Sequence, residues 1–181
     1  MTGSLKGVRI AVDAMGGDFG VSVPVAGAVV AARRYGLSLI LVGREAAVRA
    51  ELAKADVSGL DIRVVDAVEE VGMAEKVGRP TLKKRSSILI AVELVEKGEA
   101  DAFFSAGNTA ACWTIAKMTL GTLPAIDRPA LTAVVPNIKG RRCCSTWAPM
   151  PRASRGTSRN SGSWGASTRK RCSRSPALAW G

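Results

Sequence analysis

Three short segments carry the residues best suited to chemistry. The run Asp13-Ala14-Met15-Gly16-Gly17-Asp18 sets two glycines between two carboxylates. Glycines let a backbone approach an anion closely and turn its N–H groups toward it. The run Ser105-Ala106-Gly107-Asn108-Thr109 brings a hydroxyl, a bare stretch of backbone and a capping amide to the expected positive end of a helix, a geometry that favours phosphate. Lys83-Lys84-Arg85, followed by Ser86-Ser87, is a cationic cluster near the start of a helical stretch. Its charge opposes the helix dipole unless an anion or an acidic partner compensates. Each segment also has a plainer reading: a tight turn, an N-cap worth about 1 kcal/mol, and a solvated surface cluster. The first segment lacks the spacing of a dinucleotide G-x-G-x-x-G or a Walker loop.

Other chemistries are excluded by what the chain lacks. It has no histidine, which removes His-dependent triads and His general bases and leaves acid–base work to carboxylates, lysines or the substrate. Cys112 sits in an apolar helical stretch with no histidine to activate it, so it reads as core filling. The other cysteines, Cys143, Cys144 and Cys172, lack a second metal-ligand pair, and no metal site is expected. No cofactor is called for. Met1 to Gly7 lacks a long apolar run, and no stretch is apolar for the ~20 residues a membrane span needs; a cytoplasmic location is the default expectation.

The elements that must position these segments alternate regularly. Val8–Val12 is an apolar, β-branched strand that stops at the first glycine turn. Val21–Tyr35, rich in Ala and Val and ending in Arg33-Arg34 before Gly36, suits a helix with basic residues at its C-terminal dipole end. Leu37–Val42 predicts a second strand, Arg44–Ala55 an amphipathic helix and Asp61–Val65 a third strand. After a loop at Val68–Arg79, helical spacing predicts one helix over Pro80–Lys97, then a strand at Asp101–Ser105, a helix at Ala110–Leu120 and a strand at Arg128–Val135. This rhythm implies an α/β fold with a mostly parallel, doubly wound sheet. Ligands bind such sheets beyond the carboxyl ends of the strands, where both glycine turns fall.

Taken in order, VRIAVDAMGGD, LILVG, LKKRSS, ADAFFSAGNT and IDRPAL resemble the phosphate acyltransferase family of bacterial phospholipid synthesis, the PlsX family. The resemblance runs from about Val8 to Arg142. Ala110 stands where the family typically has glycine, and Thr81-Leu82 interrupts its basic run. The resemblance implies an α/β/α fold of isocitrate-dehydrogenase-like architecture. It also implies attack of inorganic phosphate on the thioester of acyl-acyl-carrier protein, giving acyl phosphate and the free carrier thiol. On that reading Gly16, Gly17, Gly107 and Asn108 cradle phosphate or the oxyanion, with Ser105 and Thr109 beside them and Asp13 and Asp18 shaping the loop. Asn108 and Asp13 are then the catalytic candidates, and Lys83, Lys84 and Arg85 bind phosphate or the acidic carrier. A homodimer, a membrane-bound glycerol-phosphate acyltransferase partner and membrane association are further implications. Alternatives from other classes are another phosphate- or nucleotide-binding Rossmann-like enzyme and a basic nucleic-acid-binding protein.

The basic character of the chain, a formal +11, is unevenly placed. Residues 1–142 carry 19 Lys and Arg against 15 Asp and Glu, whereas residues 143–181 carry 7 basic residues and no acidic one. That tail also holds three of the four cysteines and three of the four tryptophans, and it contains no Val or Ile. Rich in Ser, Arg, Gly and Pro, it is expected to be disordered. The charge excess is therefore a property of the tail, and nucleic acid is not the expected partner. Back-translation from Cys143 with GC-rich codons, read one base earlier, gives Leu-Leu-Asp-Val-Gly-Ala-Asn-Ala, which resembles the family's continuation. Some of this is forced by the code: Trp147-Ala148 yields a codon ending in TG followed by Gly, and Met150-Pro151 yields Ala. A one-base shift near Arg142 is therefore expected, dividing the chain into a catalytic-domain portion, 1–142, and an out-of-frame tail, 143–181. The α/β domain is then incomplete at its C-terminus, and this chain is expected to be impaired.

Overall fold

The computed structural model describes residues 7–124, 129, 131–137 and 140–146. The α/β layers lie within Ser4–Gly121, and a second unit begins at Thr122. In the first unit the elements run β1 (Arg9–Asp13), α1 (Ser22–Tyr35), β2 (Ser38–Gly43), α2 (Glu45–Leu52), β3 (Ile62–Asp66), α3 (Arg79–Lys83), α4 (Ser87–Glu96), β4 (Ala102–Ser105) and α5 (Thr109–Leu120). The four strands form one sheet in the order β3-β2-β1-β4, every neighbouring pair parallel.

Strand composition explains the layering. A parallel sheet is covered on both faces, so its central strands are apolar throughout rather than alternating, and β2 is buried from Leu39 to Gly43. On one face Val12, Leu39 and Leu41 pack with Val25, Ala28 and Ala32 of α1 and Val48 of α2. On the other, Ala11, Ile40 and Val42 pack with Ile90, Ala91 and Leu94 of α4. Helices on both faces make the sheet doubly wound. A third cluster joins Ile88 and Val92 of α4 to Ala111 and Ile115 of α5 and to Val71 of the preceding loop. Gly36 ends α1 in the left-handed region at φ 68° and donates its N–H to Ala32 O at 2.8 Å, the geometry only glycine adopts without strain.

The helix expected over Pro80–Lys97 is two helices. Lys84 is extended, and α4 begins after Ser86, whose buried hydroxyl caps it by accepting Leu89 N–H at 3.3 Å. An isolated parallel bridge joins Ser86 to Glu69, and Ser87 N–H donates to Glu69 O at 3.1 Å. A long-range pairing thus overrides helical spacing in the residues just before the cap.

In the second unit β5 (Leu131–Asn137) pairs antiparallel with β6 (Gly140–Thr146). The division expected between residues 142 and 143 falls inside β6. Cys143–Thr146, within the stretch expected to be disordered, pair with Leu131–Val134. The remainder of the expected tail, 147–181, lies outside the described residues.

Candidate functional site

The site is built where β1 and β4 end side by side. Their register places Asp13 opposite Ser105, each the last residue of its strand, so both glycine turns leave the sheet at the same rim. Asp13 is fully buried, and a buried carboxylate must be hydrogen-bonded to persist. It accepts from the N–H groups of Met15 at 3.0 Å and Gly16 at 3.1 Å, and from the Ser105 hydroxyl at 2.6 Å. Ser105 Oγ in turn accepts Gly107 N–H at 3.0 Å. One carboxylate and one hydroxyl therefore tie the two turns together.

The glycines meet backbone to backbone. A Cβ on Gly16 would lie 2.5 Å from Asp13 Oδ2 and 2.8 Å from Gly107 N, and one on Gly107 would lie 3.3 Å from Gly16 Cα. Gly17 has φ 108°, a conformation that L side chains rarely adopt. It is half-buried, whereas Asp18 and Thr109 are exposed.

Asn108 is the N-cap of α5. Its Oδ1 accepts the N–H groups of Ala110 and Ala111, both at 3.1 Å. Its Nδ2 donates to the carbonyls of Gly72 at 3.2 Å, Met73 at 3.1 Å and Glu75 at 2.9 Å. The side chain expected to donate to an oxyanion is thus occupied on both sides. The N–H groups of Gly16 and Gly107 are likewise engaged, by Asp13 and Ser105. Among the described residues, the backbone N–H groups of Gly17, Asn108 and Thr109 have no acceptor; two of the three stand at the positive end of α5.

The basic cluster divides three ways. Lys84 Nζ contacts both carboxylate oxygens of Glu75 at 2.9 Å. Arg85 lies 3.7 Å from Glu93 and donates its backbone N–H to Glu69 at 2.7 Å. Lys83, exposed at the end of α3, has no ion-pair partner among the described residues. Sequence reasoning missed Glu75 and the buried Thr81, whose hydroxyl reaches Glu75 Oε1 at 3.0 Å. The signal that could have found them is charge complementarity between the acidic loop Glu69, Glu70, Glu75 and the cations that follow it.

Cys112 packs against the third cluster, as core filling requires, and its surroundings include the site. Burial pushes its thiol pKa up; the contact with the Ser105 side chain opposes that, and the Asp13 charge adds to it. The sulfur is held as a thiol, a poor nucleophile. Elsewhere a cleft of about 590 Å³ lies beside β3, lined by residues including Leu52, Leu60, Ile62, Arg49 and Arg63. Its two arginines are held by Glu45 and Glu99, each at 2.7 Å. Among the described residues no helix is long and apolar enough to cross a membrane.

Fold and site together define a doubly wound parallel α/β domain with two tethered glycine turns at the carboxyl ends of adjacent strands. A family model described as "Fatty acid synthesis protein" matches residues 8–144. The chain is 46% identical over 135 residues to a phosphate acyltransferase of Geobacter sulfurreducens, an alignment covering 74% of this chain and 39% of that protein. It is 47% identical over 134 residues to one from Herpetosiphon aurantiacus, covering 74% and 36%, and 42% identical over 146 residues to one from Gloeobacter violaceus, covering 78% and 42%. The chain belongs to this fatty acid synthesis protein family, among relatives named phosphate acyltransferase, and it spans about two fifths of their length.

Proposed function

We propose that the two tethered turns form the phosphate-binding part of an enzyme that transfers an acyl group from acyl-acyl-carrier protein to inorganic phosphate in bacterial phospholipid synthesis. The observation that carries this reading is that the two turns leave one rim joined by the Asp13–Ser105 tether, and carry the N–H groups of Gly17, Asn108 and Thr109 without an acceptor among the described residues. Family membership and the relatives' names support it. In the reaction a phosphate oxygen attacks the thioester carbonyl, negative charge collects on the carbonyl oxygen, and the C–S bond breaks to release the carrier thiolate, which takes up a proton. Amide donors held in place in advance stabilise that charge without reorganising. Gly16 and Gly107 give the turns their close approach, and Asp13 and Ser105 hold them. Lys83 is the member of the basic cluster open to phosphate or an acidic carrier, and Asp18 and Thr109 border the site.

The same reading includes a homodimer, a cytoplasmic or membrane-associated location and a membrane-bound acyltransferase that consumes the acyl phosphate. It also includes the one-base shift near Arg142, supported by the end of the family match at residue 144; an intact single frame on resequencing would remove that part. The test is thiol release and acyl-phosphate formation, trapped with hydroxylamine, from acyl-acyl-carrier protein and phosphate. A frame-restored parent should turn over, and Asn108→Ala should slow it by releasing the carboxamide that caps α5 and fixes its free N–H groups. A frame-restored parent that binds the acyl carrier but forms no acyl phosphate would contradict the proposal.

A further inference from the structure

The segment between β3 and α3 is organised around one carboxylate. Glu75 accepts both contacts from Lys84 Nζ at 2.9 Å, the Thr81 hydroxyl at 3.0 Å and, more weakly, Gly72 N–H at 3.3 Å. Its own backbone N–H donates to Gly72 O at 3.0 Å. These bonds close Gly72–Glu75 into a turn and fasten it to α3 and to the residue just after it. The same turn presents the carbonyls of Gly72, Met73 and Glu75 to a single group, the carboxamide NH2 of Asn108. That NH2 has two hydrogens, so three converging carbonyls hold it from one side while two backbone amides of α5 hold Oδ1 from the other. Asn108 is 7% exposed, and its orientation is set by groups about 33 residues earlier in the chain.

We infer that Glu75 is a positioning residue: its clasp on Lys84 and Thr81 shapes the carbonyl cradle that holds Asn108, and so aims the free N–H groups at the head of α5. The inference rests on the phosphate site proposed above and adds a part to it. Lys84 then serves as the cation of the clasp rather than as a phosphate ligand. The clasp is also a charge-assisted contact, roughly twice as strong as a neutral hydrogen bond. The hydrogen bond from Lys84, followed by that from Thr81, holds the Glu75 carboxyl below the usual carboxylate range, consistent with a carboxylate that stays ionised.

The test is an NMR titration of the 181-residue chain with inorganic phosphate, following the Asn108 carboxamide and the amides of Gly17, Asn108 and Thr109. Wild type should respond at those amides. Glu75→Ala should displace the Asn108 carboxamide resonances before phosphate is added and weaken the phosphate response about tenfold, with the unfolding midpoint little changed. Glu75→Gln, which keeps the acceptor for Thr81 but loses the charge, should restore part of the affinity. Arg63→Ala, which breaks the distant pair with Glu99, should leave both readouts alone. If Glu75→Ala does not fold, Lys84→Met removes the same clasp and should act in the same direction. Unmoved Asn108 resonances, or full phosphate affinity in a folded clasp variant, would overturn the inference while leaving the phosphate site standing. A wild-type chain that shows no response at the three amides would overturn the site and the inference together.

Discussion

The two ends of the β1–β4 pair are closed by a carboxylate each, in opposite ways. At the amino end Asp101 is exposed and receives the Arg9 guanidinium at 3.0 and 3.3 Å and the Arg9 backbone N–H at 2.8 Å. At the carboxyl end Asp13 is buried and receives two backbone N–H groups and a serine hydroxyl. An exposed ion pair is screened by water and contributes little. A buried carboxyl group depends on its donors, and losing one there exposes the full cost of desolvation. The amino end therefore tolerates change, and the carboxyl end, where chemistry is proposed, does not.

The largest effect should come from crowding the carboxyl end. Gly16→Ala forces a Cβ against Asp13 Oδ2 and Gly107 N, and should cost about 3 kcal/mol, the upper part of the range for overpacking, in urea unfolding. A neutral Gly16→Ala would show that the turns can separate freely. Next, Ser105→Ala removes a donor from Asp13 and the acceptor of Gly107 N–H and should cost about 1–3 kcal/mol, with phosphate binding lost alongside. The smallest effect belongs to the amino end. Hydrogen bonds from the Arg9 side chain, then from its backbone, lower the Asp101 pKa. That pair's contribution is present above the unfolded-state carboxylate pKa, near 4, and is lost as pH falls through the lowered folded value. Asp101→Asn should flatten stability in that acid window and lower neutral-pH stability by the same small amount, less than Ser105→Ala does. A larger loss for Asp101→Asn than for Ser105→Ala at neutral pH would reverse the comparison.

The strands and turns on which this contrast is built were legible in the chain itself. Apolar runs such as Leu39–Val42 marked the strands, and the glycines after Asp13 and Ser105 marked the turns, because both signals are local. A parallel sheet puts both turns at one rim, but the pairing that sets Asp13 beside Ser105 depends on β1 and β4 being neighbours, which the strand order reveals. What stayed hidden is long-range. The break at Lys84–Ser86 depends on the bridge to Glu69, the occupation of Asn108 depends on a turn at Gly72–Glu75, and the pairing of Cys143–Thr146 depends on β5. Residues typed as ligand donors by their chemistry, Asn108 and Lys84 above all, are held by partners that no spacing rule identifies.

A crystal structure of the chain grown with inorganic phosphate would show whether the tethered turns hold phosphate through backbone N–H groups. The expected result is an anion with its oxygens about 2.7–3.1 Å from the N–H groups of Gly17, Asn108 and Thr109. An anion bound instead between Arg49 and Arg63, with the amide rim bare, would contradict it.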